Sequence, residues 1–165
     1  MTNDEIRSGE VSLPFDPAVT ADDAALIFIG RIRSPWKTRA ECPKNMTLAR
    51  ERGQTASIEL DAAWRAGLDS LEKFSHIIVL YWMHDARRDI IVQTPRHNLD
   101  STGVFALRSP VRPNPIAIAT VRILDLNKEI GRITIDAIDC IDETPLLDIK
   151  PWFEAIDGIA TQSAS

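Results

Sequence analysis

Between Thr102 and Pro115 the chain reads Thr-Gly-Val-Phe-Ala-Leu-Arg-Ser-Pro-Val-Arg-Pro-Asn-Pro, and no other stretch restricts its folding as strongly. Pro110, Pro113 and Pro115 fall within six residues and exclude regular structure there, because each ring fixes φ and removes a backbone donor. Each also drives the residue before it (Ser109, Arg112 and Asn114) into extended geometry. The apolar run Val104–Leu107 that leads into them predicts a strand. Arg108 and Arg112 are then carried on a stiff support, which suits anions and carbonyl-rich ligands. The plainer alternative is a connection whose arginines are simply solvated.

Strand patterns dominate the rest. Ala24–Ile32 predicts a strand with Gly30 inside it, a mark of a bulge or a close backbone approach. Ala56–Leu60 alternates, and Asp61 is placed to cap a short helix carrying Trp64, Leu68 and Leu71. Ser75–Met83 contains seven consecutive apolar residues, which predicts a central strand covered on both faces. Ile116–Leu126, a turn at Asn127–Glu129 and Ile130–Ile138 predict a hairpin. In its second strand the apolar parity slips by one between Ala137 and Ile138, which predicts a β-bulge there. Arg33–Gly53 and Asp85–Leu99 read as long polar loops, of the kind that is usually functional or mobile. No βαβ alternation or glycine-rich phosphate loop appears. The expectation is a mainly β protein, a small antiparallel β-barrel with one or two short helices and long functional loops. Residues 1–23 would form a flexible arm, 24–153 the barrel and 154–165 a tail.

At 165 residues the chain forms one domain large enough to bury about two-thirds of the surface it exposes when unfolded. The net charge of −5 argues against a surface built throughout to hold a polyanion. The charge is uneven: Arg31 to Arg52 holds seven basic residues against two acidic, and Ile123 onward nine acidic against three basic. A local basic face therefore stays open. Cys42 and Cys140 lie in no metal-ligand spacing, and the spacing of His76 and His84 matches none either, so no metal is expected. No apolar leader or membrane segment is visible, and a cytoplasmic protein with free thiols is expected.

Four segments in order carry a resemblance: Ile29-Gly30-Arg31-Ile32-Arg33-Ser34-Pro35, Phe74-Ser75-His76-Ile77, Arg108-Ser109-Pro110-Val111-Arg112-Pro113-Asn114-Pro115-Ile116, and Thr144-Pro145-Leu146-Leu147-Asp148-Ile149-Lys150-Pro151. Together they resemble the TsaA-like family over about Ala24 to Phe153. The resemblance implies a small β-barrel that binds S-adenosyl-L-methionine, commonly as a homodimer, and methylates N6 of threonylcarbamoyl-adenosine beside the anticodon of tRNA. The cofactor contacts it implies are Asn45, Met46 and Thr47, His84 and Asp85, Arg108, Ile118, and Asp136, Ala137, Ile138 and Asp139.

On the acceptor side the candidates are Arg112, Asn114, Asp148 and Lys150. Arg112 has the acceptor or the loop as its target. Asp148 and Lys150, read on alternating faces of an extended segment, would pair with Arg108 or Arg112 or serve the acceptor. Asn114 has an amide able to orient an amine, against the ordinary role of a turn-former. Departures from the family pattern are Ala117 after the signature, Pro43-Lys44-Asn45 in the first loop and Trp152 after Lys-Pro. The chain also reads as a short form without the C-terminal region of the tRNA-modifying members. That keeps two alternatives beside the tRNA enzyme: a methyltransferase of a small-molecule acceptor, and a non-catalytic binding module.

Overall fold

The computed structural model describes residues 6–20, 22–94 and 100–158. In chain order the strands are β1 (Val11–Ser12), β2 (Gly30–Arg33), β3 (Ala56–Leu60), β4 (His76–Trp82), β5 (Ile90–Gln93), β6 (Thr102–Gly103), β7 (Ile116–Asn127), β8 (Arg132–Ile135) and β9 (Thr144–Pro151). The α-helices are α1 (Pro17–Thr20), α2 (Met46–Glu51) and α3 (Glu154–Asp157), with 3-10 turns at Ala62–Leu68, Leu71–Lys73 and Val104–Ala106. The chain divides into two compact units, Ile27–Trp82 with Ile118–Ser165 and Met1–Leu26 with Met83–Ala117.

Six strands close into a barrel in the order β2-β3-β8-β7-β4-β9. Alternation explains the closure, since every second residue must point inward. Ile32, Ile58, Ile77, Val79, Val121, Ile133, Ile135 and Leu146 are all fully buried. Each aliphatic side chain so buried contributes about 1.5–3 kcal/mol. The approach of β2 to β3 explains Gly30: a Cβ there would sit 2.0 Å from the Glu59 carbonyl oxygen.

The barrel corrects several expectations. β4 is not covered on both faces: Ile77, Val79 and Tyr81 are buried while the residues between them are half-exposed, because a barrel wall has a single inside. The strand expected over Ala24–Ile32 is paired only from Gly30, preceded by a bond from Ile29 N–H to the Leu146 carbonyl at 3.0 Å. Ile27 and Phe28 are exposed. The helix expected after Asp61 is a pair of 3-10 turns, and the Asp61 side chain makes no capping bond. The polar loop Arg33–Gly53 contains α2.

The expected bulge at Ala137 and Ile138 is also corrected. β8 ends at Ile135, and the register shift lies on β7, between Ile123 opposite Ile135 and Asp125 opposite Thr134. Beyond β8 the chain bends back, so Ala137, Ile138 and Cys140 are buried without belonging to a strand. A returning loop produces the same parity slip as a bulge.

The second unit carries a three-stranded sheet ordered β1-β5-β6. The segment expected as a loose arm supplies β1, with Val11 opposite Val92, and α1, whose Ala18 N–H is capped by Asp16 Oδ1 at 2.8 Å. The loop Asp85–Leu99 contains β5. Val104–Ala106 is a 3-10 turn rather than a strand. Its flanking carbonyls are taken by Arg112, which bonds the carbonyls of Val104 (3.0 Å) and Leu107 through Nη2 and that of Ser109 (2.8 Å) through Nε. The tail from Ala160 to Ser165 lies outside the described residues.

Among the described residues no helix is long and apolar enough to cross a membrane, and no group of three or more His, Cys, Asp or Glu is placed to hold a metal ion.

Candidate functional site

Where the chain leaves β8, Asp136 ties three segments together. Its N–H bonds the Arg122 carbonyl at 3.1 Å, and its Oδ1 accepts the Arg122 N–H at 2.8 Å. Its Oδ2 accepts from Arg50 Nε at 3.2 Å, and the Arg50 Nη2 reaches the Thr120 carbonyl at 2.7 Å. Arg50 sits on α2, so the ion pair seats this helix on the Asp136 segment. At the other end of α2, Asn45 is the N-cap: its Oδ1 accepts the Leu48 N–H at 2.9 Å, which satisfies a donor the helix cannot. Met46 and Thr47 are the first two helical residues. Asn45, Met46 and Thr47 thus open the helix whose last turn Arg50 ties to Asp136.

The three residues after Ala137 are held from the other side by an arm that continues β2. Trp36 Nε1 donates to the Ile138 carbonyl at 2.9 Å, the Cys42 thiol to the Asp139 carbonyl at 3.1 Å, and Ser34 Oγ to the Cys140 carbonyl at 2.8 Å. Ser34 N–H bonds Asp142 Oδ1 at 3.0 Å, and Lys37 Nζ pairs with Asp142 Oδ2 at 2.6 Å. Arg31 and Arg33 both pair with Glu143. Much of the basic run is therefore matched by the acidic loop. Tyr81, pointing inward from β4, donates its hydroxyl to Asp139 Oδ1 at 2.9 Å.

Burial and charge set the protonation of this cluster. Burial, helped by the Asp139 carboxylate, pushes the Tyr81 phenol well up from its ordinary value. Burial first, then the Asp139 charge, pushes the Cys42 thiol up to about 11, and burial raises the Cys140 thiol further. Both cysteines are free and stay protonated near neutrality, which removes them as nucleophiles. Burial alone would raise the Asp142 carboxyl; the Lys37 bond, the Ser34 N–H and the Arg33 charge outweigh it and hold the group below its ordinary value.

Ile118, on the long strand β7, is half exposed. Asp148 and Lys150 share one outward face of β9, opposite Leu80 and Ile78, and not alternating faces as expected. They pair with each other at 2.7 Å, because residues two apart on a strand point the same way.

The remaining predicted residues belong to the second unit. His84 and Asp85 are adjacent, with Nε2 3.5 Å from Oδ1. His84 lines a cleft of about 500 Å³ with Phe15, Asp16, Arg87, Arg88 and Asp89. Arg88 Nε donates to the Pro113 carbonyl at 2.5 Å, and its Nη2 donates to Asn114 Oδ1 at 3.2 Å. Arg112 spends its guanidinium on the loop's own carbonyls, and Arg108 is exposed on the same loop.

Trp36, Arg50 and Tyr81 were not singled out by sequence reasoning. Only Tyr81 carried a usable signal: it is the single tyrosine of the chain, on the inward parity of a strong strand, where a hydroxyl needs a partner.

A known family matches this architecture. The tRNA-methyltransferase O N-terminal domain matches residues 31–158. The chain belongs to this family. The eleven positions to which the resemblance assigned cofactor contact fall within the matched residues, and β1 and α1 precede them. Among relatives, the "Probable S-adenosyl-L-methionine-binding protein VirR" of Rhizobium radiobacter is 36% identical over 151 residues, 92% of this chain and 82% of that protein. A "Probable S-adenosyl-L-methionine-binding protein" of Methanothermobacter thermautotrophicus is 38% identical over 131 residues, 79% of this chain and 91% of that one. The crystal structure of TrmO from Pseudomonas aeruginosa superposes with a TM-score of 0.65 at 30% identity. The match covers 86% of this chain and 63% of that structure, so the chain spans somewhat under two-thirds of the solved protein.

Proposed function

We propose that this chain binds S-adenosyl-L-methionine and transfers its methyl group to N6 of threonylcarbamoyl-adenosine beside the anticodon of tRNA. The observation that carries the proposal is the family match over residues 31–158, which takes in the whole clamped segment Asp136–Asp142. The residues suit such a cofactor. Ile118 offers an exposed apolar surface for a purine, and Asp139 offers a carboxylate on a segment held in place. Arg108, His84, Asp85, Asn45, Met46 and Thr47 are assigned to the cofactor by the resemblance.

The bound cofactor would supply an activated methyl group on a sulfonium, which leaves the protein the work of positioning. An exocyclic amine that accepts a methyl group must also give up a proton. Among the four acceptor-side candidates, Asp148 is the one with a carboxylate oxygen that could orient or accept that proton. Lys150 is held protonated by its bond to Asp148, Arg112 has only donors and spends them on loop carbonyls, and the Asn114 amide oxygen already accepts from Arg88. A homodimer in the cytoplasm belongs to the same proposal, and light scattering of the purified protein tests the dimer.

The experiment is incubation with methyl-labelled S-adenosyl-L-methionine and total tRNA from a strain lacking the protein, followed by nucleoside analysis. Labelled N6-methyl-threonylcarbamoyl-adenosine is the expected product. Cofactor binding without label in tRNA would overturn the tRNA assignment. It would favour the second reading, a small acceptor or a binding module; the printed names of the Rhizobium and Methanothermobacter relatives speak of cofactor binding alone.

A further inference from the structure

Tyr81 and Asp139 form a contact that the core does not require. Tyr81 is 3% exposed and shares the inward parity of Ile77 and Val79 on β4. A phenylalanine would fill nearly the same volume there, so packing does not explain the hydroxyl. A buried hydroxyl must find a partner or lose the value of its hydration. The partner it finds is a carboxylate oxygen, Asp139 Oδ1, 2.9 Å away and 58 positions along the chain.

Asp139 is also fixed through its backbone. The carbonyl before it accepts from Trp36 Nε1 and its own carbonyl accepts from the Cys42 thiol. With the carbonyls of Ile138 and Asp139 both bonded and Oδ1 accepting from Tyr81, the orientation of the carboxylate is set, and Oδ2 is its second acceptor. A carboxylate immobilised in this way accepts a hydroxyl or ammonium donor without ordering its side chain on binding, and such ordering costs affinity.

We infer that Tyr81 is a positioning residue for cofactor binding: it sets the Asp139 carboxylate so that Oδ2 accepts a hydrogen bond from the ribose or the ammonium end of S-adenosyl-L-methionine. The inference rests on the cofactor reading above and adds a residue outside the eleven assigned positions.

The test is a double-mutant cycle in calorimetry with S-adenosyl-L-methionine on the full chain, using Tyr81→Phe, Asp139→Asn and the double variant, with the thermal midpoint of each recorded. Tyr81→Phe is expected to weaken binding about tenfold, as befits loss of a hydrogen bond to a charged group. The double variant should bind no worse than Asp139→Asn alone. A packing role would leave Tyr81→Phe binding unchanged, or make the two losses multiply, and either result overturns the inference. Amide exchange of the unliganded protein separates this from failure of the cofactor reading. If the wild type does not bind the cofactor, that reading falls. Faster exchange at residues 137–141 in Tyr81→Phe would still support Tyr81 as the group that holds Asp139, and unchanged exchange would overturn it.

Discussion

The indole Nε1 of Trp36 donates to the backbone carbonyl of Ile138 at 2.9 Å, and both residues are buried. One side chain thereby satisfies a main-chain group on a segment 102 residues away, which no sheet neighbour reaches. Arg52 packs over the same indole, 4.9 Å from its centroid. Trp36→Phe keeps an aromatic plate but removes the donor and leaves a buried carbonyl unpaired, at a cost of about 1–3 kcal/mol. Urea denaturation should show that loss as a lower midpoint with an unchanged slope. An unchanged midpoint would show that water replaces the indole.

Gly30 is required by the close approach of β2 to β3. A methyl group there meets backbone, the Glu59 carbonyl at 2.0 Å and Leu60 Cα at 2.9 Å, and backbone paired in a closed barrel has little room to move. Gly30→Ala should lose at least the roughly 1–3 kcal/mol typical of overpacking. Gly53→Ala is the control: its Cβ would meet nothing within 4 Å at a φ of +63°, so only the left-handed penalty of about 1–2 kcal/mol applies. A wild-type thermal midpoint for Gly30→Ala would reject this account of Gly30.

The fold class was legible because alternation is local. β3 and β7 can be read from their own residues, whereas residues 77–83 are apolar throughout and only the closed barrel assigns Ile77, Val79 and Tyr81 to the inside. The strand expected over Ala24–Ile32 was too long because an apolar run shows only that a strand is affordable, whereas pairing begins where a neighbour exists, at Gly30. Val104–Leu107 was misread for a similar reason: Arg112, eight residues from Val104, takes the carbonyls a sheet would need. The clamps of the candidate site were not legible. Tyr81 with Asp139 and Trp36 with Ile138 join segments whose separation carries no spacing signature, and only the closed barrel places them together.

Arg108 and Arg112 are four residues apart on the proline loop and should behave differently. Arg108→Ala should weaken S-adenosyl-L-methionine binding by more than about tenfold, since a charged hydrogen bond is worth roughly 1.5–3 kcal/mol. Unchanged affinity by calorimetry would reject its assignment. Arg112→Ala removes three bonds to loop carbonyls and should raise amide exchange across residues 104–109. Arg112→Lys should restore little, because an ammonium lacks the planar fork that reaches several carbonyls at once.

Acid should loosen the arm that carries Ser34 and Lys37. Asp142 Oδ1 accepts the Ser34 N–H at 3.0 Å and faces Arg33 Nε at 3.2 Å, while Oδ2 pairs with Lys37 at 2.6 Å. Burial opposes the charge, but these partners outweigh it, so the folded carboxyl titrates below its ordinary value. A carboxyl with a depressed folded pKa stabilises the protein fully above its unfolded pKa of about 3.9, and that contribution is lost as pH falls through the folded value. The stability difference between wild type and Asp142→Asn should therefore be flat from about pH 5 to 7 and shrink below about pH 4. Other depressed carboxyls, such as Glu41 and Asp89, titrate in both proteins and cancel in the difference. Denaturation curves on the pair at several pH values measure it. A difference that stays constant to about pH 2.5 would show that Asp142 holds the arm through hydrogen-bond geometry that asparagine reproduces rather than through its charge.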